Sequence, residues 1–174
     1  IRNVLNTQEP DNGGTPMACG LVGSQQYFSM DFAMQGSRNI MLITDGAPTE
    51  ECSGVTCGLF DINCQLNASN QAKIRIQATV AQGARAMPQI RTFVLGTADA
   101  DNAFLSNVAI LGGTQQYTGC GSDQSCHYSL TTANFGADLQ VALDDIRGRT
   151  ISCEFRINAD PTTIDPNLTN VNYY

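Results

Sequence analysis

The stretch Asn39-Ile40-Met41-Leu42-Ile43-Thr44-Asp45-Gly46 decides the fold. Its core, Ile40 to Ile43, is a short continuous apolar run with no polar alternation. Such a run reads as a strand buried on both faces, as in a parallel sheet. Thr44-Asp45-Gly46 ends it: Asp45 lies immediately past the strand, and Gly46 lets the backbone turn away sharply. In open α/β sheets ligands sit beyond the carboxyl ends of the strands, so Asp45 faces that crevice.

The flanking sequence alternates helix and strand. Upstream, residues 1–14 are polar and turn-rich. Pro16 suits a first helical position with Thr15 as N-cap, and Met17, Leu21, Phe28 and Phe32 recur near helical spacing, which predicts a helix over 16–34 ended by Gly36-Ser37. Downstream, 46–66 reads as a cysteine-bearing loop. Ile76, Val80, Ala84 and Met87 mark a helix face closed by Pro88, and Ile90 to Leu95 is a second buried strand. Asp101 or Asn102 caps a short helix carrying Phe104, Leu105, Val108 and Leu111, stopped by Gly112-Gly113. Thr114 to Thr118 reads as a third strand, Phe135 to Ile146 as a last amphipathic helix stopped by Gly148, and Ile151 to Ile157 as a final strand. This order specifies βαβ units. The expected fold is α/β, a doubly wound, Rossmann-like, mostly parallel sheet with helices on both faces.

Composition narrows the class. The chain has 174 residues, enough for one domain, with 42% hydrophobic residues and a formal charge of −7. One lysine, Lys73, and eight arginines argue against a nucleic-acid partner, which demands a basic face. No apolar run approaches the roughly 18 residues of a membrane span, so no membrane insertion is expected. The seven cysteines are Cys19, Cys52, Cys57, Cys64, Cys120, Cys126 and Cys153. Three share one loop and two bracket another, with four, six and five intervening residues, which does not match zinc spacing. Disulfides and an oxidising, extracellular location are the better reading. The odd count leaves one cysteine free or paired outside the chain, with Cys19 and Cys153 as candidates.

Gly13-Gly14-Thr15-Pro16 and Ile43-Thr44-Asp45-Gly46 each offer an oxygen ligand from a tight turn beside a regular element. In this order and separation they resemble two of the three loops of the metal-ion-dependent adhesion site of von Willebrand factor A-type domains. The resemblance extends through Phe93-Val94-Leu95-Gly96, Asn107 to Gln115 and Phe135 to Arg147, covering roughly residues 3–157. It is nearest to the disulfide-bearing A domains of large bacterial secreted or surface proteins, in which an Ile151-to-Phe155-like strand follows the last helix and leads to a further β module. It implies a partial A domain over 1–158, with 159–174 as linker and the start of that module.

The third loop of such a site, Asp-x-Ser-x-Ser after an opening strand, does not occur in the chain. Without that strand the 39–44 strand would expose an apolar edge. The missing segment is therefore expected from upstream in the same polypeptide or from a separate chain. The function implied is a non-enzymatic adhesion or protein-binding module on the cell surface. Thr15 and Asp45 would help coordinate Mg²⁺ (or Ca²⁺ or Mn²⁺), held weakly or not at all by this part alone, and the ion would capture a carboxylate from a protein or surface ligand. The alternative is a structural, disulfide-stabilised building block of a surface assembly or filament, with a vestigial metal site. An enzyme would need a nucleophile, a base and an orienting group. The single histidine, His127, has no Ser or Cys at a meaningful spacing and reads as a loop residue; Asp144-Asp145 reads as a solvated face.

Overall fold

The computed structural model describes residues 14–30, 36–50, 61–97, 100–121 and 124–150. The expectations for Phe32, Cys52, Cys57, Cys153, the strand over 151–157 and the module beyond it lie outside these residues. Within them the chain is α/β. Its elements run α1 (Met17–Met30), β1 (Arg38–Thr44), α2 (Ile62–Arg85), β2 (Ile90–Thr97), α3 (Asn102–Leu111), β3 (Tyr128–Leu130) and α4 (Phe135–Thr150).

The three strands form one parallel sheet in the order β1-β2-β3. β1 pairs with β2 from Arg38 opposite Ile90 to Thr44 opposite Gly96, and the upper part of β2 pairs with β3 from Leu95 opposite Tyr128 to Thr97 opposite Leu130. Alternation along β2 divides the core. Ile90 and Val94 join Ile40, Leu21, Ile76, Val80, Leu105 and Val108 in a cluster that packs α1, α2 and α3 on one face. Phe93 and Leu95 join Tyr128, Leu130, Ala142 and Ile146 on the other, under α4. Helices on both faces of a parallel sheet make this a Rossmann-like α/β fold, and β2 is buried on both sides as its apolar run predicts.

β1 departs from that reading. Ile40 is buried, but on the opposite face Met41 and Ile43 are 40% and 50% exposed. One edge of β1 pairs with β2, and the other has no strand beside it among the described residues. Between that edge and α1 runs a groove of about 630 Å³, lined by Gly20, Gly23, Ser24, Tyr27, Phe28 and Ile40 among others.

Four element boundaries need correction. α1 receives its first backbone bonds at Pro16 O, from Cys19 N and Gly20 N, so Pro16 stands at the cap and Thr15 one residue outside. α2 starts at Ile62, well before the first expected face residue, because Asp61 caps it: Asp61 Oδ1 accepts from Cys64 N at 3.0 Å. Residues 114–118 are not a strand. Thr114 turns inward, its hydroxyl donating to Thr92 O at 2.5 Å, while Thr92 N donates to Gly112 O. That occupies the lower flank of β2, and the chain then swings through Gly119 and Gly121, both at positive φ, before 128–130 takes the upper flank. α4 continues through Gly148 to Thr150, since a helical glycine costs only about 1 kcal/mol. Arg149 anchors that last turn, stacking 5.4 Å from the Phe93 ring centre and donating to Gln115 O at 2.9 Å.

Candidate functional site

Parallel strands place the loops after β1 and β2 at the same end of the sheet, and the amino-terminal end of α1 meets them there. Thr15 N donates to Thr49 Oγ1 at 2.5 Å and Thr49 N donates to Thr15 O at 3.3 Å. This pair of bonds ties the start of α1 to the loop that carries Asp45. The loop is shaped from within. The Thr44 hydroxyl accepts from Gly46 N at 3.3 Å and donates to Gly46 O at 3.1 Å, closing the turn around Asp45. Pro48 is fully buried and its carbonyl accepts from Ser69 Oγ of α2 at 2.7 Å. Asp45 itself is exposed and Thr15 half-buried. The structure thus brings the Thr15 and Asp45 segments onto adjoining, hydrogen-bonded loops.

Sequence reasoning missed Glu50. Its carboxylate lies directly over Gly14, where a β-carbon would stand 2.2 Å from Glu50 Oε1. This sets an acidic side chain beside the segment that opens α1, and no local pattern in the sequence marks it. Hydroxyl and carboxylate oxygens are the hard donors that Mg²⁺ or Ca²⁺ take, about six or more in number. Thr15, Asp45 and Glu50 fit that chemistry in kind but make a partial set. Among the described residues no group of three or more His, Cys, Asp or Glu is placed to hold a metal ion.

A second polar cluster stands at the same end of the sheet, after β2. Asp101 caps α3 through Phe104 N at 3.1 Å and accepts from Lys73 Nζ of α2 at 2.7 Å. The Lys73 hydrogen bond, then the Phe104 amide, hold the Asp101 carboxyl below its ordinary range. Lys73 also lies 5.4 Å from the Phe104 ring centre. This cluster joins α2 to α3, and of the two caps the sequence offered, Asp101 and Asn102, it is Asp101 that serves.

The structure adds to two other expectations and corrects a third. His127 lies in the loop before β3, as expected, but it is buried there and has a serine partner: Ser106 Oγ of α3 lies 3.1 Å from His127 Nδ1 and also accepts from Cys126 N at 3.1 Å. The twenty-one-residue separation hid the pair. Burial lowers the pKa of His127, and its Nε2 is buried without a hydrogen-bond partner among the described residues. Asp144 and Asp145 do lie on an exposed face, but Asp145 also accepts from Tyr128 OH and lies 3.7 Å from Arg149. Burial first, then that carboxylate, push the Tyr128 hydroxyl up to about 12. Cys120 and Cys126 form a disulfide, and Cys19 and Cys64 are disulfide-bonded as well, which removes Cys19 as the candidate free thiol. Cys19 misled because its place on a helix says nothing about which residues the fold brings beside it.

Comparison with models of protein families, with characterised proteins and with solved structures finds no match to the chain.

Proposed function

We propose that this chain is part of a von Willebrand factor A-like adhesion module, completed by a further strand-bearing segment and using a divalent cation at the carboxyl ends of its strands to capture a carboxylate of a protein or surface ligand. The observation that carries this reading is the half-covered β1. A seven-residue parallel strand with one edge unpaired among the described residues and two exposed apolar side chains, Met41 and Ile43, is a poor terminus for a soluble sheet. It is a good template for one more strand and the helix that would accompany it. Thr15, Asp45 and Glu50 stand at the end of the sheet where that strand would deliver its own loop. The missing oxygen ligands then come from the added segment and from water, and the ion keeps enough positive charge to attract an acidic group.

In this reading the module is not an enzyme, and the Ser106–His127 pair is a buried strut between α3 and the start of β3. The location is extracellular, in keeping with the disulfides at Cys19, Cys64 and Cys120–Cys126. The same disulfides favour a second reading, a structural block of a surface assembly whose metal site is vestigial.

The test is ligand binding by the complete protein. Asp45→Ala and EDTA are each expected to abolish it, while mild reduction leaves it largely intact. Binding that ignores both EDTA and Asp45→Ala but is lost on reduction would establish the structural reading instead.

A further inference from the structure

Along α3, Asn102, Ser106 and Ile110 recur every fourth residue, with Ala103 and Asn107 beside them, so all five share one face of the helix. That face is one wall of a cleft of about 420 Å³, and Gly121, Gln124 and Ser125 form the other. The volume lies within the roughly 300–1,000 Å³ of small-molecule sites.

The two walls are tied together. Ser106 Oγ accepts from Cys126 N at 3.1 Å, and the Cys120–Cys126 disulfide closes the loop that carries the second wall. Within that loop Gly121 N donates to Gln124 O at 2.9 Å, and the Tyr117 hydroxyl donates to Ser125 O at 3.2 Å. A site held in this way loses little freedom when a ligand arrives.

Its polar groups are free. Asn102, Asn107 and Gln124 are exposed and Ser125 is half-buried, and their side chains make no hydrogen bond among the described residues. No charged side chain among the described residues lines the cleft, in a chain with sixteen acidic and nine basic residues. Asp101, next to Asn102, is already paired with Lys73.

These features select a ligand. An ionic one finds no counter-charge here. An apolar one would strip water from three amides and a hydroxyl and return no hydrogen bond. Peptide segments are taken by a free strand edge, an apolar groove or a charged cluster, none of which lines this cleft. Each Asn or Gln amide offers a donor and an acceptor side by side, which matches two adjacent hydroxyls of a sugar ring, one accepting and one donating. Ala103 and Ile110, the latter 45% exposed, offer an apolar surface to the C–H face of such a ring.

We propose that this cleft binds a neutral saccharide, held by Asn102, Asn107, Gln124 and Ser125. Binding needs no metal ion and involves neither Thr15 nor Asp45, so it adds a ligand class to the adhesion reading without depending on it.

The experiment is a nitrogen-edited NMR titration of the full, unreduced chain in EDTA, which silences any metal-dependent capture, with maltose, lactose and N,N′-diacetylchitobiose in turn. One or more of these sugars is expected to shift the side-chain amide signals of Asn102, Asn107 and Gln124 saturably. Asn107→Ala should weaken that sugar about threefold to tenfold, for the hydrogen bonds lost. Asn70→Ala, at an exposed amide of α2 outside the cleft, should leave it unchanged. Alanine is the best helix former, so neither variant threatens the fold. Absence of saturable shifts with all three sugars would overturn the proposal, as would equal effects of the two variants. So would stronger binding of an Ala/Ser/Gly hexapeptide, which would reassign the cleft to peptide.

Discussion

Thr15 and Thr49 are bound to each other twice, through Thr15 N to Thr49 Oγ1 at 2.5 Å and Thr49 N to Thr15 O at 3.3 Å. The two residues belong to loops 34 positions apart, one opening α1 and one following β1. Their pairing joins the segment that opens α1 to the loop that carries Asp45 and Glu50. Thr49→Val keeps the side-chain shape and removes the acceptor, leaving the Thr15 amide to water. A loss of about 0.5–1.5 kcal/mol in unfolding free energy is expected by urea titration. On the proposed adhesion reading, the cation affinity of the completed module should fall with it.

Gly83 of α2 touches Gln25 of α1. A β-carbon at Gly83 would stand 2.2 Å from Gln25 Nε2 and 3.1 Å from Ile90 O. Gln25 Nε2 donates to Thr79 O at 2.5 Å, so it cannot yield without losing that bond. Gly83→Ala is expected to cost about 1–3 kcal/mol by overpacking. Gln25→Ala in the same chain should recover part of that loss, a coupling that a double-mutant cycle measures directly.

His127 and Asp101 set the acid side of stability. Both carry lowered pKa values in the fold, so in each case the unfolded chain binds the proton more readily. The His127 contribution is complete above about 6.5, its unfolded value, and is lost as pH falls from there through the lowered folded value. The Asp101 contribution is complete above about 3.9 and is lost as pH falls through a folded value lower still. Chemical denaturation across pH 4–8 should show declining stability below about pH 6.5. His127→Asn, which keeps a polar group toward Ser106, should flatten that slope, and the single histidine resonance allows its folded pKa to be read directly.

The Cys120–Cys126 disulfide closes a short loop. The chain-entropy relation gives about 2 kcal/mol for a loop of this length. Replacing both cysteines with alanine should lower unfolding free energy by about that much. It should also speed amide exchange at Cys126 and His127, whose backbone and ring are held by Ser106.

Met41 and Ile43 offer a test of the open strand. Both are exposed here, so Met41→Lys and Ile43→Lys should change the stability of this chain by less than about 0.5 kcal/mol. If a further segment covers this face as proposed, the same substitutions in the protein that carries it should destabilise strongly, since they would bury an unpaired charge. Equal, small effects in both would show that nothing covers this face.

The apolar runs at 40–43 and 90–95 were readable as strands because a parallel sheet imposes a continuous hydrophobic signature that local sequence carries by itself. Asp101 as a cap and Gly112-Gly113 as a stop were equally local, each a matter of satisfying backbone groups within one turn of a helix. The same locality brought Thr15 and Asp45 to attention, and tertiary structure then set them on bonded loops. What only the tertiary structure decided depends on long-range neighbours. Residues 114–118 have strand composition, yet lost their place beside β2 because Thr114 turned inward and 128–130 fitted the remaining flank. His127 gained a partner, Gly14 gained Glu50, and Asp145 gained Tyr128 from residues far apart in sequence, where no spacing rule reaches. β1 and β2 carry similar apolar runs, but a strand's sequence specifies a burial it cannot supply: β2 received helices and strands on every side, and β1 remained half open.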